Sequence, residues 1–274
     1  MDHNINNLPL VSLDYWSDFA RELAKFSNLK PNGKILDVGT GTGACLVAAN
    51  DKLGGNCHLV GIDRNGDRLS QARDKFKNID TGSVKFHTME ASNLDFEDNS
   101  FDNILSGFIG FSDSYDFEKN QLTNNAKMKE IFRVLKPEGE AAFSTWAFQQ
   151  DIEVARGLLQ QYLRHKKLKR NDEIEKLSIS YSKESVSGFK LMMKDAGFNN
   201  IRILPKNFKI IYKSVEEWWE MMKYAAWIMR YTLNQDSNSL KDLKKCVLPH
   251  GIQDFEHEGT YIFQKTVIFA YGSK

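Results

Sequence analysis

The 274-residue sequence has few cysteines, few prolines and no long apolar run. Its three cysteines, Cys45, Cys57 and Cys246, are odd in number and scattered, so they indicate neither a disulfide framework nor a zinc site. No uncharged apolar stretch approaches the roughly 18 residues of a membrane span, and the first residues lack the basic and apolar regions of a secretory signal. Five prolines and no low-complexity tract leave no obvious linker. We expect a cytoplasmic protein in a reducing compartment.

The sequence also has almost no net charge. Its 37 Lys and Arg residues oppose 36 Asp and Glu residues, which leaves a formal charge of +1. Such a balance argues against wholesale binding to nucleic acid or to anionic lipid. The basic run at 164–170 is followed by acidic residues, and this pattern predicts a solvated helix with local charge compensation, with a contact to nucleic acid or an acidic substrate as the alternative. We therefore expect a small-molecule substrate, no nucleic acid and no stable membrane insertion.

The first 150 residues alternate short apolar runs with segments of helical periodicity. Runs rich in Val, Ile, Leu and Phe predict strands at 34–39, 57–63, 83–89, 101–108 and 139–146. Helical spacing lies between them, at 42–53, 66–77 and 121–135. This alternation predicts an α/β fold with a doubly wound, mostly parallel sheet, whose ligands bind at the carboxyl ends of the strands.

The second half of the sequence predicts the remaining strands of that sheet and a lid over its carboxyl edge. Helices are predicted at 150–178 and at 182–196, where Gly197 ends the second helix. Strand-like stretches follow at 201–212 and 260–271. The helical segment between them, 214–231, is rich in Trp and Met and apolar nearly all round. It predicts a buried helix, part of which lines an adaptable apolar substrate cavity, with insertion at a membrane surface as another reading.

The most informative segment is ILDVGTGTG at 35–43. It leaves a buried strand and enters a helix through three alternating glycines, which permit a tight turn and a close approach of a ligand to the backbone. The free N–H groups at the start of the helix favour an anion. Twenty residues after Gly43, Asp63 ends the next strand, where it can accept hydrogen bonds from ribose hydroxyls. The pattern indicates a nucleoside cofactor.

The spacing of the glycines narrows the choice of cofactor. They follow G-x-G-x-G, whereas a dinucleotide site has G-x-G-x-x-G, and the sequence has no G-x-x-x-x-G-K-[ST] phosphate loop. Asp37 precedes the first glycine by two residues, where an acid would repel a pyrophosphate but suit an ammonium group. The segment therefore favours a zwitterion attached to a nucleoside over a nicotinamide cofactor.

At this point the sequence resembles the class I S-adenosylmethionine-dependent methyltransferases. ILDVGTGTG resembles their motif I, and the resemblance continues in order with VGID (60–63), HTMEASNLDFEDNSFD (87–102) and EIFRVLKPEGEAAFSTW (130–146). The stretch at 181–203 is similar to their L-x-x-A-G-F helix and the strand after it. The most similar branch includes the ubiquinone/menaquinone-type C-methyltransferases. The resemblance implies a seven-stranded Rossmann-like sheet with a helical lid.

The expected organisation is a single methyltransferase domain over 1–274. Its core would occupy about 30–205 together with the last strand at 260–271. The predicted lid elements are 1–29, 148–180 and 213–258.

The resemblance also implies S-adenosylmethionine as the cofactor and assigns residues to its methionine and ribose parts. The glycine-loop residues would pack against the methionine part: Gly39, Thr40, Gly41 and Gly43. Asp37 would lie near its amino group. Asp63 would hold both ribose hydroxyls, and Arg64 would flank the adenine.

Two further pairs of residues are implied for the adenine edge and the sulfonium. Glu90 stands where the family usually has Asp, and its carboxylate or the Ala91 backbone N–H would read the adenine edge. Ser106 and Gly107, at the end of the fourth predicted strand, would lie under the sulfonium.

Methyl transfer from a sulfonium is an in-line displacement whose leaving group is already activated by its charge. The protein mainly aligns the reactants and excludes water, and a base is needed only if the nucleophile must lose a proton. His250, in a turn between a proline and a glycine, is the candidate base. Tyr115, after the fourth strand, is a candidate for orienting the substrate. The histidines and cysteines have no metal-ligand spacing, so we expect no metal.

The sequence thus predicts an enzyme that transfers a methyl group from S-adenosylmethionine to a small, bulky and apolar acceptor. Two alternatives use the same cofactor pocket: a non-methylating reaction such as a cyclisation, and a noncatalytic cofactor-binding module. Whether the acceptor atom is carbon, nitrogen or oxygen stays open, as does the oligomeric state.

Overall fold

The computed structural model describes residues 5–117, 119–167, 184–225, 238, 241–245 and 251–274. The chain divides into two compact units. The larger unit comprises Asp14–Ala147, Glu184–Lys206 and Val267–Lys274. The smaller unit comprises Met1–Leu13, Phe148–Lys183 and Asn207–Thr266.

The described strands and helices alternate along the first half of the chain, as predicted. The strands are β1 (Leu10–Val11), β2 (Lys34–Val38), β3 (His58–Asp63), β4 (Ser83–Thr88), β5 (Phe101–Gly107), β6 (Tyr115–Asp116), β7 (Gln121–Leu122), β8 (Leu135–Gln149), β9 (Asn199–Tyr212), β10 (Glu256–His257) and β11 (Thr260–Ser273). The helices are α1 (Tyr15–Phe26), α2 (Ala44–Leu53), α3 (Gly66–Phe76), α4 (Ala126–Val134), α5 (Gln150–His165), α6 (Val186–Ala196) and α7 (Val215–Ala225).

A mostly parallel sheet forms the centre of the larger unit. Its strand order there is β9–β11–β8–β5–β2–β3–β4, and β2 pairs in parallel with both β3 and β5. All seven predicted strands are present, so the doubly wound α/β prediction is confirmed. The count of seven strands is wrong, because the described residues alone form a nine-stranded sheet. The two additional strands are the two-residue β1 and β10, which pair with β9 and β11 within the smaller unit.

The core of the larger unit lies between the central strands and the helices that cover them. Leu36, Ile104 and Phe143 from three neighbouring strands are fully buried together with Phe189 and Met192 of α6. Burial of each such side chain contributes about 1.5–3 kcal/mol. Helix α6 ends at Gly197 in the left-handed conformation, with φ of 108°, as the sequence predicts.

The smaller unit buries an ion pair. Lys265 and Asp151 are both fully buried, with 2.8 Å between Nζ and Oδ2, and the Tyr212 hydroxyl donates a hydrogen bond to Asp151 over 2.7 Å. Helix α7 buries Trp218 and Trp219. It also exposes acidic residues, so over its described side chains it has one apolar face and is not apolar all round. Residues 226–231 of the predicted helix lie outside the described residues.

The prediction of one domain with a lid stays a prediction. Helix α1, which falls in the predicted lid range 1–29, belongs to the larger unit and packs against α2. In the basic run, Lys166 pairs with Asp242 over 3.0 Å, and residues 168–170 lie outside the described part of the chain. Within the described ranges, no helix combines the length and the apolar character needed to cross a membrane.

Candidate functional site

The carboxyl ends of the parallel strands surround a cavity of about 620 Å³ in the larger unit. Its walls come from the glycine loop after β2, from the ends of β3 and β5, and from the residues that follow β4. This is the position at which an open α/β sheet binds ligands, because the loops at that edge diverge where the strand order changes direction.

The glycine loop requires glycine for two separate reasons. Gly39, Gly41 and Gly43 all have positive φ, at 72°, 53° and 85°. A Cβ at Gly39 would also lie 2.1 Å from Cγ2 of Ile109, so no larger residue fits there. At Gly41 the nearest atom would be 4.0 Å away, because that position faces the cavity. The loop therefore presents bare backbone to a ligand.

Asp63 is held in place by the loop that it faces. Its Oδ2 accepts a hydrogen bond from the Gly41 N–H over 2.9 Å, and its Oδ1 accepts one from the Asn65 N–H over 2.8 Å. A carboxylate has about four acceptor positions, so two remain for the hydroxyl groups of a ligand. The strand end and the glycine loop thus form one preorganised unit.

Asp37 is a buried acid whose carboxyl oxygens meet no donor in good hydrogen-bond geometry among the described residues. Its side chain is 1% exposed. Burial raises the pKa of Asp37 to about 7, the nearby Thr40 hydroxyl opposes the rise, and the charge of Asp63 adds to it. An orphaned carboxyl group of this kind costs stability unless a ligand supplies its partner.

Most of the predicted cofactor residues line the cavity. Those that do are Gly39, Thr40, Gly41, Asp63, Arg64, Glu90, Ala91 and Gly107. Asp37, a buried residue of β2, and Gly43, the cap of α2, do not line the cavity. The Ser106 hydroxyl donates to the Val38 carbonyl over 3.2 Å, so Ser106 fastens β5 to β2 and does not face the cavity.

Of the two predicted catalytic residues, the structure describes only Tyr115. Tyr115 is 1% exposed, its hydroxyl donates to Oδ1 of Asn120 over 2.6 Å, and its ring packs against Phe117. In this geometry Tyr115 is a core residue at the start of a small hairpin, which gives its proposed orienting role no support. His250 lies outside the described residues, so its role stays a prediction.

The structure adds cavity residues that the sequence analysis does not identify. Trp16 and Ala20 of α1 line it, as do Phe108 after β5 and Ser144 of β8. A Cβ at Gly107 would lie 3.1 Å from the Cys45 sulfur and 3.4 Å from the Ser144 hydroxyl. No sequence signal separates Trp16 from the core, because its position on α1 falls on the same apolar face as the buried Tyr15, Phe19 and Ala20.

A polar network holds the segment after β5 in place. Lys127 donates to the Gly110 carbonyl over 3.0 Å and pairs with Asp113 over 2.9 Å. Buried Glu184 accepts hydrogen bonds from the Phe111 N–H, over 2.7 Å, and from the Thr145 hydroxyl. Burial raises the pKa of Glu184, and its two donors oppose the rise.

Across the described residues, no group of three or more His, Cys, Asp or Glu is arranged to hold a metal ion.

With this geometry in view, comparisons with known proteins give the family. Residues 29–173, more than half of the chain, match the model of the methyltransferase domain family. The chain belongs to this family. A demethylmenaquinone methyltransferase from Listeria welshimeri is 29% identical over 133 residues, which cover 48% of this chain and 53% of the relative. The chain thus matches about half the length of that relative.

Solved structures share the fold. The YcgJ protein from Bacillus subtilis is 17% identical, covers 94% of this chain and 98% of its own, and has a TM-score of 0.56. Phosphoethanolamine N-methyltransferase 2 from Haemonchus contortus, solved in complex with S-adenosyl-L-methionine, is 16% identical and has a TM-score of 0.53. That match covers 94% of this chain and 52% of the other. The predicted family is confirmed.

Proposed function

We propose that this protein transfers a methyl group from S-adenosylmethionine to a small, largely apolar acceptor. The observation that carries the proposal is the pair of acids at the glycine loop. Asp63 has a fixed carboxylate with acceptor positions to spare, and the buried carboxyl group of Asp37 meets no well-aligned donor in the described part of the chain. A nucleoside that also carries an ammonium group satisfies both.

The chain's residues fit the parts of this cofactor. Asp37 would accept hydrogen bonds from the amino group of the methionine part, which also offsets the cost of its burial. Asp63 would accept the ribose hydroxyls, since it lines the cavity and has acceptor positions beyond those used by the Gly41 and Asn65 N–H groups. Glu90 and the Ala91 N–H lie at the far side of the cavity, beyond β3, where they would read the adenine edge.

Gly107 would lie beside the sulfonium, because the absence of a side chain there leaves room next to Cys45 and Ser144. When bound, S-adenosylmethionine would supply a methyl group attached to a positively charged sulfur, and the leaving group would be the neutral thioether. The chain's own contribution is to hold the acceptor in line with that methyl group and to exclude water. A polar residue acting as base is needed only for an acceptor that must lose a proton.

The nature of the acceptor is supported by two kinds of observation. The relatives named as demethylmenaquinone methyltransferases act, by their names, on a small apolar molecule. The cavity itself has an aromatic side at Trp16 and Phe108. We propose a small apolar molecule as the substrate of this chain for these reasons.

The cofactor assignment can be tested at Asp63. We expect Asp63→Ala to weaken binding of S-adenosylhomocysteine, measured by calorimetry, by about 1–3 kcal/mol, because charged hydrogen bonds to the ribose are lost. Asp74→Ala is the matched control, since Asp74 is an exposed acid of α3 that does not line the cavity. Equal affinities of the two variants would contradict the assignment. Failure of the unaltered protein to bind the ligand would overturn the proposed function.

A further inference from the structure

Five aromatic side chains gather at one end of the cavity, where the proposed cofactor contacts do not reach. Trp16 lies edge-on to Phe108, with ring centroids 5.2 Å apart, and Phe108 packs against Trp146 at 4.5 Å. Tyr15 and Phe19 complete the cluster from α1, each within 6 Å of Trp146. Two of its members, Trp16 and Phe108, line the cavity.

Trp16 is the exposed member of the cluster. Its side chain is 46% exposed although it lies among large apolar rings, and Tyr15 and Phe19 beside it are buried. One helical turn later, the small Ala20 also lines the cavity. Helix α1 therefore presents the Trp16 ring to the cavity, and the small side chain of Ala20 leaves room beside that ring for a flat group. An exposed aromatic surface at a cavity is a common mark of a binding site.

Phe108 adopts a backbone conformation that is unusual for a bulky residue. Its φ is 57°, in the left-handed region, and Gly110 shortly after it has φ of 73°. The conformation is secured by the Phe108 N–H, which donates to the Ser144 carbonyl over 2.8 Å. Such a conformation costs about 1–3 kcal/mol for a non-glycine residue, and strain of this kind concentrates at functional sites. Here it places an aromatic ring beside Trp16.

The position of these rings separates them from the nucleoside end. In the sheet, β5 and β8 lie on one side of β2, and they carry Phe108 and Ser144 at or near their ends. Strands β3 and β4 lie on the other side of β2, and they lead to Asp63 and Glu90. The adenine contacts therefore belong to the opposite end of the cavity from the aromatic rings.

We infer that Trp16 and Phe108 form the platform that selects the acceptor, and that the acceptor presents a flat unsaturated ring to them. The inference rests on the proposed function and adds to it the residues that determine specificity. Edge and face contacts with two aromatic side chains favour an aromatic ring over a saturated one of the same size, because the ring edge and face carry opposite partial charges.

The test compares two probes of matched skeleton on the full chain saturated with S-adenosylhomocysteine. The probes are 2-naphthol and its saturated counterpart decahydro-2-naphthol, and binding is measured by calorimetry. We expect 2-naphthol to bind about threefold to tenfold more tightly than the saturated probe. We expect Trp16→Ala to lose that preference and Trp16→Phe to retain most of it. Leu191→Ala is the matched control, since Leu191 is an exposed apolar residue of α6 that does not line the cavity.

A second variant separates the ring from the fold. Phe108→Gly removes the ring and also relieves the left-handed strain, so a loss of 2-naphthol binding by a variant that still binds S-adenosylhomocysteine supports the platform. Equal binding of the two probes, or unchanged 2-naphthol binding by Trp16→Ala, would overturn the inference and leave the cofactor assignment intact. A parallel loss of S-adenosylhomocysteine affinity in Trp16→Ala would also overturn it, because the ring would then contact the cofactor.

Discussion

At the scale of single residues, protonation of Asp37 is coupled to occupation of the site. Its pKa is raised to about 7 in the ligand-free protein, so near neutral pH a large fraction of the molecules carry a proton on Asp37. An ammonium group beside it stabilises the carboxylate and lowers that pKa. Ligand binding therefore releases the proton from Asp37. This release occurs mainly below about pH 7, because at higher pH the carboxyl group of the ligand-free protein is already deprotonated.

This coupling predicts a pH-dependent affinity. We expect binding of S-adenosylhomocysteine to strengthen as the pH rises from about 5.5 to about 8, with a slope that approaches tenfold per pH unit at the acidic end. Calorimetry across that range measures the slope directly. Asp37→Asn should bind more weakly and lose the slope. A variant that keeps the full pH dependence would show that another group titrates.

The same residue should lower the stability of the ligand-free protein. A carboxyl group whose folded pKa lies above its unfolded value of 3.8 contributes full stability below that value and loses it as the pH rises through about 7. We expect Asp37→Asn, which carries no charge, to be more stable than the unaltered chain by about 1 kcal/mol or more at about pH 8. The difference should shrink toward about pH 4. Urea denaturation at both pH values checks the sign, and a difference independent of pH would contradict it.

At the scale of elements, Glu184 connects the segment after β5 to β8. Glu184 accepts one hydrogen bond from the Phe111 backbone and one from the Thr145 side chain. These two residues follow Phe108 and Ser144, which line the cavity. Glu184 thus holds Phe111, three residues after Phe108, and Thr145, the residue after the Ser144 whose carbonyl accepts from the Phe108 N–H.

Glu184→Gln should therefore cost stability. The glutamine oxygen can still accept from the Phe111 N–H, but the amide then presents an N–H to the Thr145 hydroxyl, so the bond reverses direction and a charge-assisted hydrogen bond becomes a neutral one, at a cost of about 1 kcal/mol in the free energy of unfolding. Thr145→Val removes the hydroxyl from the other side. Because both variants disrupt the same hydrogen bond, we expect the double variant to be less destabilised than the sum of the two single changes, by about 0.5 kcal/mol or more. Strict additivity would contradict a shared interaction.

The sequence predicts a strand or helix best where one pattern of apolar residues covers the whole element and no competing pairing interrupts it. Strands β2 to β5 and the glycine loop are found where the apolar runs and glycines place them. The helix predicted at 121–135 begins only at Ala126, because residues 121–122 form β7 and pair with β6. Tyr115 belongs to that short hairpin and is buried in the core. Its position after the fourth predicted strand instead suggests a place near the site.

The aromatic platform shows which part of the site could not be predicted. Asp37 and Asp63 lie close to the glycine loop in sequence or at a recognisable strand end, so local patterns identify them. Trp16, Phe108 and Trp146 come from three elements separated by about 40 to 130 residues, and only the fold brings them together. The left-handed backbone of Phe108 has no sequence signature at all, since phenylalanine rarely adopts it.

At the scale of the whole molecule, the chain passes between its two units five times. Three of these passages, after residues 147, 206 and 266, lie inside the continuous strands β8, β9 and β11. We therefore keep the proposal of a single cooperative domain.

Calorimetric unfolding tests this proposal. We expect one transition, and we expect S-adenosylhomocysteine at about 100 times its dissociation constant to add about 2.7 kcal/mol to the free energy of unfolding. Asp63→Ala at the same ligand concentration should show a smaller increase. Two transitions, of which the ligand shifts only one, would instead show that the units unfold separately.

The exposure of Trp16 also provides an optical probe of the site. Of the tryptophans in the described residues, Trp218 and Trp219 are buried and Trp146 is partly covered, while Trp16 is the one classed as exposed. In a Trp227→Phe background, which keeps only these four tryptophans, acrylamide in solution should therefore collide chiefly with Trp16 and quench its emission. A molecule seated against that ring would shield it, so the fluorescence of the unlabelled protein can be used to screen a library of candidate acceptors before any product is detected.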